Sequence, residues 1–152
     1  MTAAFIGHRN IIPANIENEL RKTVEQLISV GYNKFIMGAH GEFDKMALAV
    51  CRSVREEHPE IEIEVVLTNL EGRLKKDEYG YDPYHDVKTV IFDIEEVYYK
   101  QRIMASNRRM VDLCDTLICY VDTDLYYFQS CSKRVYNYAK RKGVNIINLY
   151  KI

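Results

Sequence analysis

Three polar or permissive residues, Gly7, His8 and Arg9, directly follow a short apolar run near the start of the chain. A glycine lets a ligand approach the backbone closely, an arginine can pair with a phosphate or carboxylate through two hydrogen bonds, and a histidine can donate or relay a proton. A plainer interpretation suits the same residues: Gly7 makes a turn, Arg9 is solvated and His8 bonds a neighbour. The pattern indicates a candidate anion site and leaves both interpretations open.

A second loop with similar chemistry is GAHGEFD, residues 38–44. Gly38 and Gly41 bracket this loop, with His40 between them, and the loop opens into a predicted helix whose first amide groups can bind an anion. Asp44 could cap that helix or accept a hydrogen bond from a ribose hydroxyl. Taken alone, a tight turn followed by an ordinary N-terminal acid is the simpler interpretation.

A third loop, residues 122–132, reads DTDLYYFQSCS and also precedes a predicted helix. Asp122 opens it, and Ser130 or Ser132 could cap the helix close to a phosphate. A nucleobase could stack on any of its three aromatic residues, which are Tyr126, Tyr127 and Phe128. The alternative is a hydrophobic loop that folds over the edge of a sheet.

Asn107 lies within an otherwise apolar helical stripe. The other members of the stripe are Ile103, Met110, Val111 and Cys114. A buried amide needs hydrogen-bond partners, so Asn107 either bonds a neighbouring loop or helps to build the floor of a crevice. Among the arginines of this helix only one is expected to face a ligand, and Arg108 is the candidate.

These residues lie between alternating strands and helices. Apolar periodicity predicts strands over residues 3–6, 34–37, 61–67, 88–92, 116–121 and 144–149, and helices over 15–30, 43–58, 96–114 and 132–142. Asn15 is expected to cap the first helix, and Gly31 and Gly143 to end the first and last. Residues 68–87 form an irregular excursion in this prediction.

The alternation predicts a Rossmann-like α/β fold. Near-continuously apolar strands indicate a mostly parallel sheet with helices on both faces, a three-layer sandwich within one domain over residues 1–152. Ligands of such sheets bind beyond the carboxyl ends of the strands. The functional hypothesis therefore depends on the three loops converging at one edge.

Composition narrows the possible partners. Lys and Arg number 21 against 22 acidic residues, and a net charge of -1 supplies no global field, which argues against nucleic acid as a partner. The four cysteines are widely spaced without a CxxC pair, and the histidines show no ligand spacing, so reduced thiols and no metal or other cofactor are expected. Without a membrane span or signal sequence, a cytoplasmic location is the expectation.

Four segments resemble a known family: FIGHRN, MGAHGEFDKMAL, SNRRMVDLCDTLICYVD and YAKRKGVNIINLY. Together they resemble the YpsA-like branch of the SLOG superfamily, Rossmann-like proteins that include DprA and the LOG phosphoribohydrolases, and the likeness covers most of the chain in the right order. The resemblance implies binding of a nucleotide or nucleotide-derived ligand at the strand edge. The residues that it implies as pocket lining are Gly7, His8, Arg9, Gly38, Gly41 and Asp44.

The chain departs from that family pattern at two positions. Ser106 stands where relatives usually carry an arginine, and residues 130–132 read Ser-Cys-Ser where relatives have a Gly-Gly or Gly-Thr phosphate loop. Phosphate binding is expected to be weakened or rearranged, because a charged partner is lost and Cβ atoms are added. Arg102, one turn before Ser106, could reach the same space.

The leading hypothesis is a sensor or binding module of bacterial or phage type for a nucleotide-related small molecule. The sequence leaves a monomer and a homodimer both open. The LOG signature PGGxGTxxE is absent, which favours binding over catalysis. One alternative is a hydrolase of an N-glycosidic or phosphate bond with His8 or Asp44 as general acid or base. Another is DprA-like binding of single-stranded nucleic acid.

Overall fold

The computed structural model describes residues 1–8, 12–68, 82–92, 101–124 and 131–150. Its strands are β1 (Thr2–Gly7), β2 (Lys34–Met37), β3 (Glu62–Leu67), β4 (Lys88–Ile91), β5 (Thr116–Tyr120) and β6 (Asn145–Asn148). The helices within the described residues are α1 (Asn15–Ser29), α2 (Glu42–Glu57), α3 (Arg102–Leu113) and α4 (Cys131–Lys142). The predicted strands and helices recur in order, and their described ends lie close to the predicted ones.

The strands form one six-stranded sheet in the order β4-β3-β2-β1-β5-β6. Every neighbouring pair is parallel, which confirms the predicted fold class. Phe5 of β1 pairs with Met37 on one side and Ile118 on the other. Residues 3–5 are fully buried because both faces of the central strand are covered, and this explains their continuous apolar run.

Two hydrophobic cores lie on opposite faces of the sheet. Ala3 and Phe5 point into the core shared with α1 and α2, whereas Ala4 and Ile6 point into the core shared with α3 and α4. This alternation follows from the period of two along a strand. The three-layer arrangement fixes where each loop after a strand can go.

Two predicted helix ends are confirmed and one predicted cap is wrong. Gly31 and Gly143 adopt φ values of 106° and 77°, the left-handed backbone that glycine accepts without strain. Asn15 does not cap α1, because it is already the first helical residue and Ala14 occupies the cap position without a side-chain hydrogen bond. Pro13 starts the turn instead: its carbonyl accepts the N–H of Ile16 at 3.0 Å.

The chain reverses its winding direction between β1 and β5. From β1 it proceeds through α1 to β2 on one side, and β5 continues through α4 to β6 on the other. The loops that follow these two neighbouring strands therefore leave toward opposite faces of the sheet and open a crevice between them. Residues 93–100, where the predicted third helix begins, and residues 69–81 of the predicted excursion lie outside the described part.

Candidate functional site

The candidate site starts where β1 and β5 end side by side. Gly7 pairs with Tyr120 in the last register position. The next backbone N–H, that of His8, donates to the Tyr120 carbonyl at 3.2 Å and so continues the ladder by one step. Two hydrogen bonds here join four sequence-predicted residues: one links Ser132 to Gly7 and the other links Asp122 to His8.

Gly7 is held between the two helical layers. A Cβ atom at this position would overlap the side chain of Phe43, which is fully buried at the start of α2. On the other side, the hydroxyl of Ser132 in α4 donates to the Gly7 carbonyl at 2.7 Å. Glycine is thus required for close packing of a helix against the strand end, and Ser132 tethers α4 to β1.

His8 is held as a neutral imidazole. Its Nε2 accepts a hydrogen bond from the backbone N–H of Asp122 at 2.8 Å. An accepting Nε2 leaves the proton on Nδ1, which is then the remaining ring donor. Burial lowers the pKa of His8 below its ordinary value of 6.5, and the nearby Asp122 carboxylate opposes this only in part.

Beside this imidazole lies an aromatic cluster of three rings, those of Phe43, Tyr120 and Tyr150. The Tyr120 ring stacks on Phe43 at 6.3 Å between centroids and meets Tyr150 edge-on at 5.1 Å. His8 contacts both tyrosines edge-on, at 6.1 and 6.4 Å. The Tyr150 hydroxyl donates to Asp122 Oδ2 at 3.0 Å, so the cluster is tied to the loop after β5.

Sequence reasoning missed Tyr120 and Tyr150 as candidate site residues. It assigned base stacking to Tyr126, Tyr127 and Phe128, which lie outside the described residues. A signal was present, because Tyr120 is the last residue of β5 and Tyr150 follows β6 by two positions. Aromatic residues at the carboxyl ends of two neighbouring parallel strands must share one edge.

The loop before α2 is organised by Asp44. Its Oδ2 accepts the backbone N–H of His40 at 3.0 Å, and a Cβ on Gly38 would lie only 3.1 Å from the same oxygen. Gly41 occupies the cap position in an extended conformation, without a side-chain cap. Of the interpretations open for Asp44, capping of α2 is not observed: its side chain points back toward the helix start and holds the preceding loop.

Asn107 lies beside the start of α4, whereas Arg108 does not reach the site. Asn107 is half-buried, and its amide donates to the Cys131 sulfur at 3.8 Å. The buried polar residue of α3 is Ser106, only 3% exposed, so the predicted burial of Asn107 is wrong by one position. The Arg108 guanidinium lies 5.5 Å from the centre of the Tyr138 ring, on the outer surface of the helices.

A cavity of about 260 Å³ flanks the site on the other side of α2. It opens between the first halves of α1 and α2 and has an apolar floor with charged walls. Its lining residues are Ile12, Glu17, Glu42, Lys45, Met46 and Ala49. None of these residues belongs to the hydrogen-bonded group around His8. The cavity and that group therefore lie in neighbouring but different places.

Arg9 and Ser130 lie outside the described residues. Within the described ranges, no three His, Cys, Asp or Glu side chains are grouped as metal ligands. Over the same ranges, none of the helices has the length and apolar character to cross a bilayer.

Comparison of the chain with protein-family models found no match. Comparison with curated proteins found no match either.

Proposed function

We propose that this chain binds a nucleotide-related small molecule at the crevice between β1 and β5 and acts as a sensor or binding module, as a YpsA-like member of the SLOG superfamily. One observation carries the proposal: a neutral His8 is fixed among two tyrosine rings and a carboxylate where the sheet reverses its winding. In parallel α/β sheets this is the place where nucleotides bind.

Each group has a defined task in this proposal. The exposed parts of Tyr120 and Tyr150 offer apolar surface for a base, and stacking on an aromatic side chain stabilises a bound base by about 1–3 kcal/mol. The Nδ1–H of His8 donates to a phosphate or carbonyl oxygen. Asp122 accepts from a ribose hydroxyl in this proposal, beside the bonds that its carboxylate already accepts from the Asp124 N–H and the Tyr150 hydroxyl.

The geometry favours binding over hydrolysis. A general base at His8 would use the Nε2 lone pair, which already accepts the Asp122 N–H. A general acid would need a proton that the lowered pKa disfavours near neutral pH. Asp44, the other candidate acid or base, uses Oδ2 to hold the His40 amide. These contacts support a binding role over a catalytic one.

Isothermal titration calorimetry tests the proposal with nucleoside mono- and diphosphates, ADP-ribose and cyclic nucleotides. At least one compound of this panel is expected to bind. His8→Gln removes one hydrogen-bond donor and is therefore expected to raise the dissociation constant roughly tenfold. Tyr120→Leu removes the stacking ring and weakens binding by a similar or larger factor. His58→Ala is the matched control, because His58 lies at the far end of α2.

Two results would contradict the proposal. One is that folded protein binds no compound of the panel. The other is binding that neither His8→Gln nor Tyr120→Leu changes while both variants keep wild-type melting temperatures. Release of product from any panel member by concentrated protein would instead favour the hydrolase alternative.

A further inference from the structure

The described helices on the two faces of the sheet carry opposite net charge. Helices α3 and α4 contain eight Lys or Arg residues and one acidic residue, Asp112. Helices α1 and α2, on the other face of the sheet, contain seven acidic and five basic residues. Although the net charge of the whole chain is -1, the described helices on the two faces of the sheet therefore differ strongly in charge.

Six cations of this layer are exposed to solvent, and together they form the surface called here the basic face. They are Arg108, Arg109, Arg134, Lys140, Arg141 and Lys142. The packing of α4 against the sheet depends on other residues, Val135 and Ala139, which are fully buried. Packing against the sheet therefore does not account for the cations on the outer side of the two helices.

Asp112, the single acidic residue within Arg102–Leu113 and Cys131–Lys142, joins the two helices. Asp112 accepts hydrogen bonds from the Tyr138 hydroxyl at 2.6 Å and from Lys142 at 3.1 Å. Burial opposes its ionisation, but these two bonds outweigh it and hold the pKa of Asp112 below its ordinary value. Asp112 therefore neutralises one cation and leaves the rest of the basic face uncompensated within α3 and α4.

Helix ends explain only part of this charge. Lys140, Arg141 and Lys142 occupy the last turn of α4, where cations interact favourably with the helix dipole. Arg134 and Arg108 lie away from any helix C-terminus. Arg134 and Arg141 are seven residues apart and share one side of α4, about 10 Å apart along its axis at 1.5 Å per residue.

We propose that the basic face binds the phosphate backbone of nucleic acid without reading its sequence. Charge complementarity argues for a polyanion, since several cations on one surface release counterions together when they meet closely spaced phosphates. Base stacking is not expected, because Arg108 and Lys142 both lie within 5.6 Å of the Tyr138 ring centre. Backbone contacts position a protein without specifying sequence. This surface is separate from the His8 crevice.

Fluorescence anisotropy with a labelled single-stranded oligonucleotide of mixed sequence, over a series of salt concentrations, tests this proposal. The wild type is expected to bind more weakly as salt rises. In the variant Arg134→Gln/Arg141→Gln, the slope of log K against log salt is expected to fall by about 1 per cation removed. The matched control is Lys22→Gln/Lys88→Gln, which removes two exposed cations outside the basic face.

Each possible outcome either supports or overturns the proposal. Equal weakening by the control pair overturns it, because net charge alone would then explain binding. So does absence of oligonucleotide binding by folded protein, whether anionic vesicles bind instead or sedimentation shows that the basic face associates with a second copy. If His8→Gln binds the oligonucleotide as tightly as the wild type does, the oligonucleotide binds outside the proposed crevice.

Discussion

The imidazole of His8 accepts a hydrogen bond at 2.8 Å from the backbone N–H of Asp122, a residue 114 positions later in the chain. Protonation would turn the accepting Nε2 into a donor and break this bond. The pKa of His8 is accordingly lowered, by burial first, against the opposing Asp122 charge. The unfolded chain therefore takes up this proton at higher pH than the folded chain does.

This linkage predicts a loss of stability on acidification. The contribution of His8 is fully present above its ordinary pKa of 6.5 and is lost as the pH falls below that value, since the unfolded state then binds more protons. Urea unfolding at a series of pH values should show a steeper decline for the wild type than for His8→Gln. Parallel curves for wild type and His8→Gln would contradict the assignment.

Gly7→Ala is expected to destabilise the fold. The new Cβ would overlap the buried Phe43, and forced overpacking costs about 1–3 kcal/mol. Urea denaturation measures the free energy of unfolding. Gly143→Ala is the control, because nothing lies within 4 Å of a Cβ there and only the backbone conformation is strained. A Gly7→Ala protein as stable as the wild type would show that Phe43 does not require the glycine.

Two arginines of α2 clamp the segment that leads into the edge strand β4. Arg52 and Arg55 donate to the Asp86 carboxylate, each at 2.7 Å, and also to backbone carbonyls of the segment. Asp86→Asn is expected to speed hydrogen exchange at residues 82–91 and to change global stability by less than about 1 kcal/mol, because the pairs are partly exposed. Exchange mass spectrometry measures this, with Glu60→Gln as the control.

The clamp also predicts an acid response of that segment. Burial opposes ionisation of Asp86, but the hydrogen bonds from Arg52 and Arg55 outweigh it and lower the pKa below the ordinary 3.8. The stabilisation is present above that value and lost as the pH falls through the lowered one. Exchange at 82–91 that is unaffected by Asp86→Asn would contradict the clamp.

Three of the cysteines are expected to resist alkylation. Burial raises the pKa of Cys51 well above its usual range and that of Cys119 to about 12, and burial with the Asp115 charge raises Cys114 to about 12. The thiolate is the reactive form, so iodoacetamide at about pH 8 should modify these thiols far more slowly in native protein than in urea. Mass spectrometry of timed samples measures the rates. Native labelling of Cys119 at the unfolded rate would contradict the prediction.

The succession of strands and helices was predictable because apolar periodicity reports burial directly. Residues 34–37 were predicted as a strand with the observed ends, and Gly31 and Gly143 marked helix ends. The position of β5 beside β1 was not predictable, since strand pairing depends on contacts between distant segments. Asn15 failed as a cap because the Pro13 carbonyl closes the first turn instead.

The meeting of the loops that follow β1 and β5 was predictable, but the hydrogen bonds between them were not. Parallel strands end at one edge, so Gly7, His8, Asp122 and Ser132 were expected to meet, and they do. Which partner each side chain takes depends on distances that spacing does not contain. Arg108 shows this limit: periodicity placed it on α3, but the aromatic ring of Tyr138 decides where its guanidinium lies.

The hydroxyl of Ser132 bonds the carbonyl of Gly7 across 125 positions of chain, and this has a consequence during synthesis. On the ribosome, β1 emerges first and can pair early with β2. Its opposite edge stays open until β5 and then α4 have been translated, and an open apolar strand edge pairs readily with other chains. Nascent chains that pause after β4 are therefore expected to aggregate more readily than chains in which β5 and α4 have been translated.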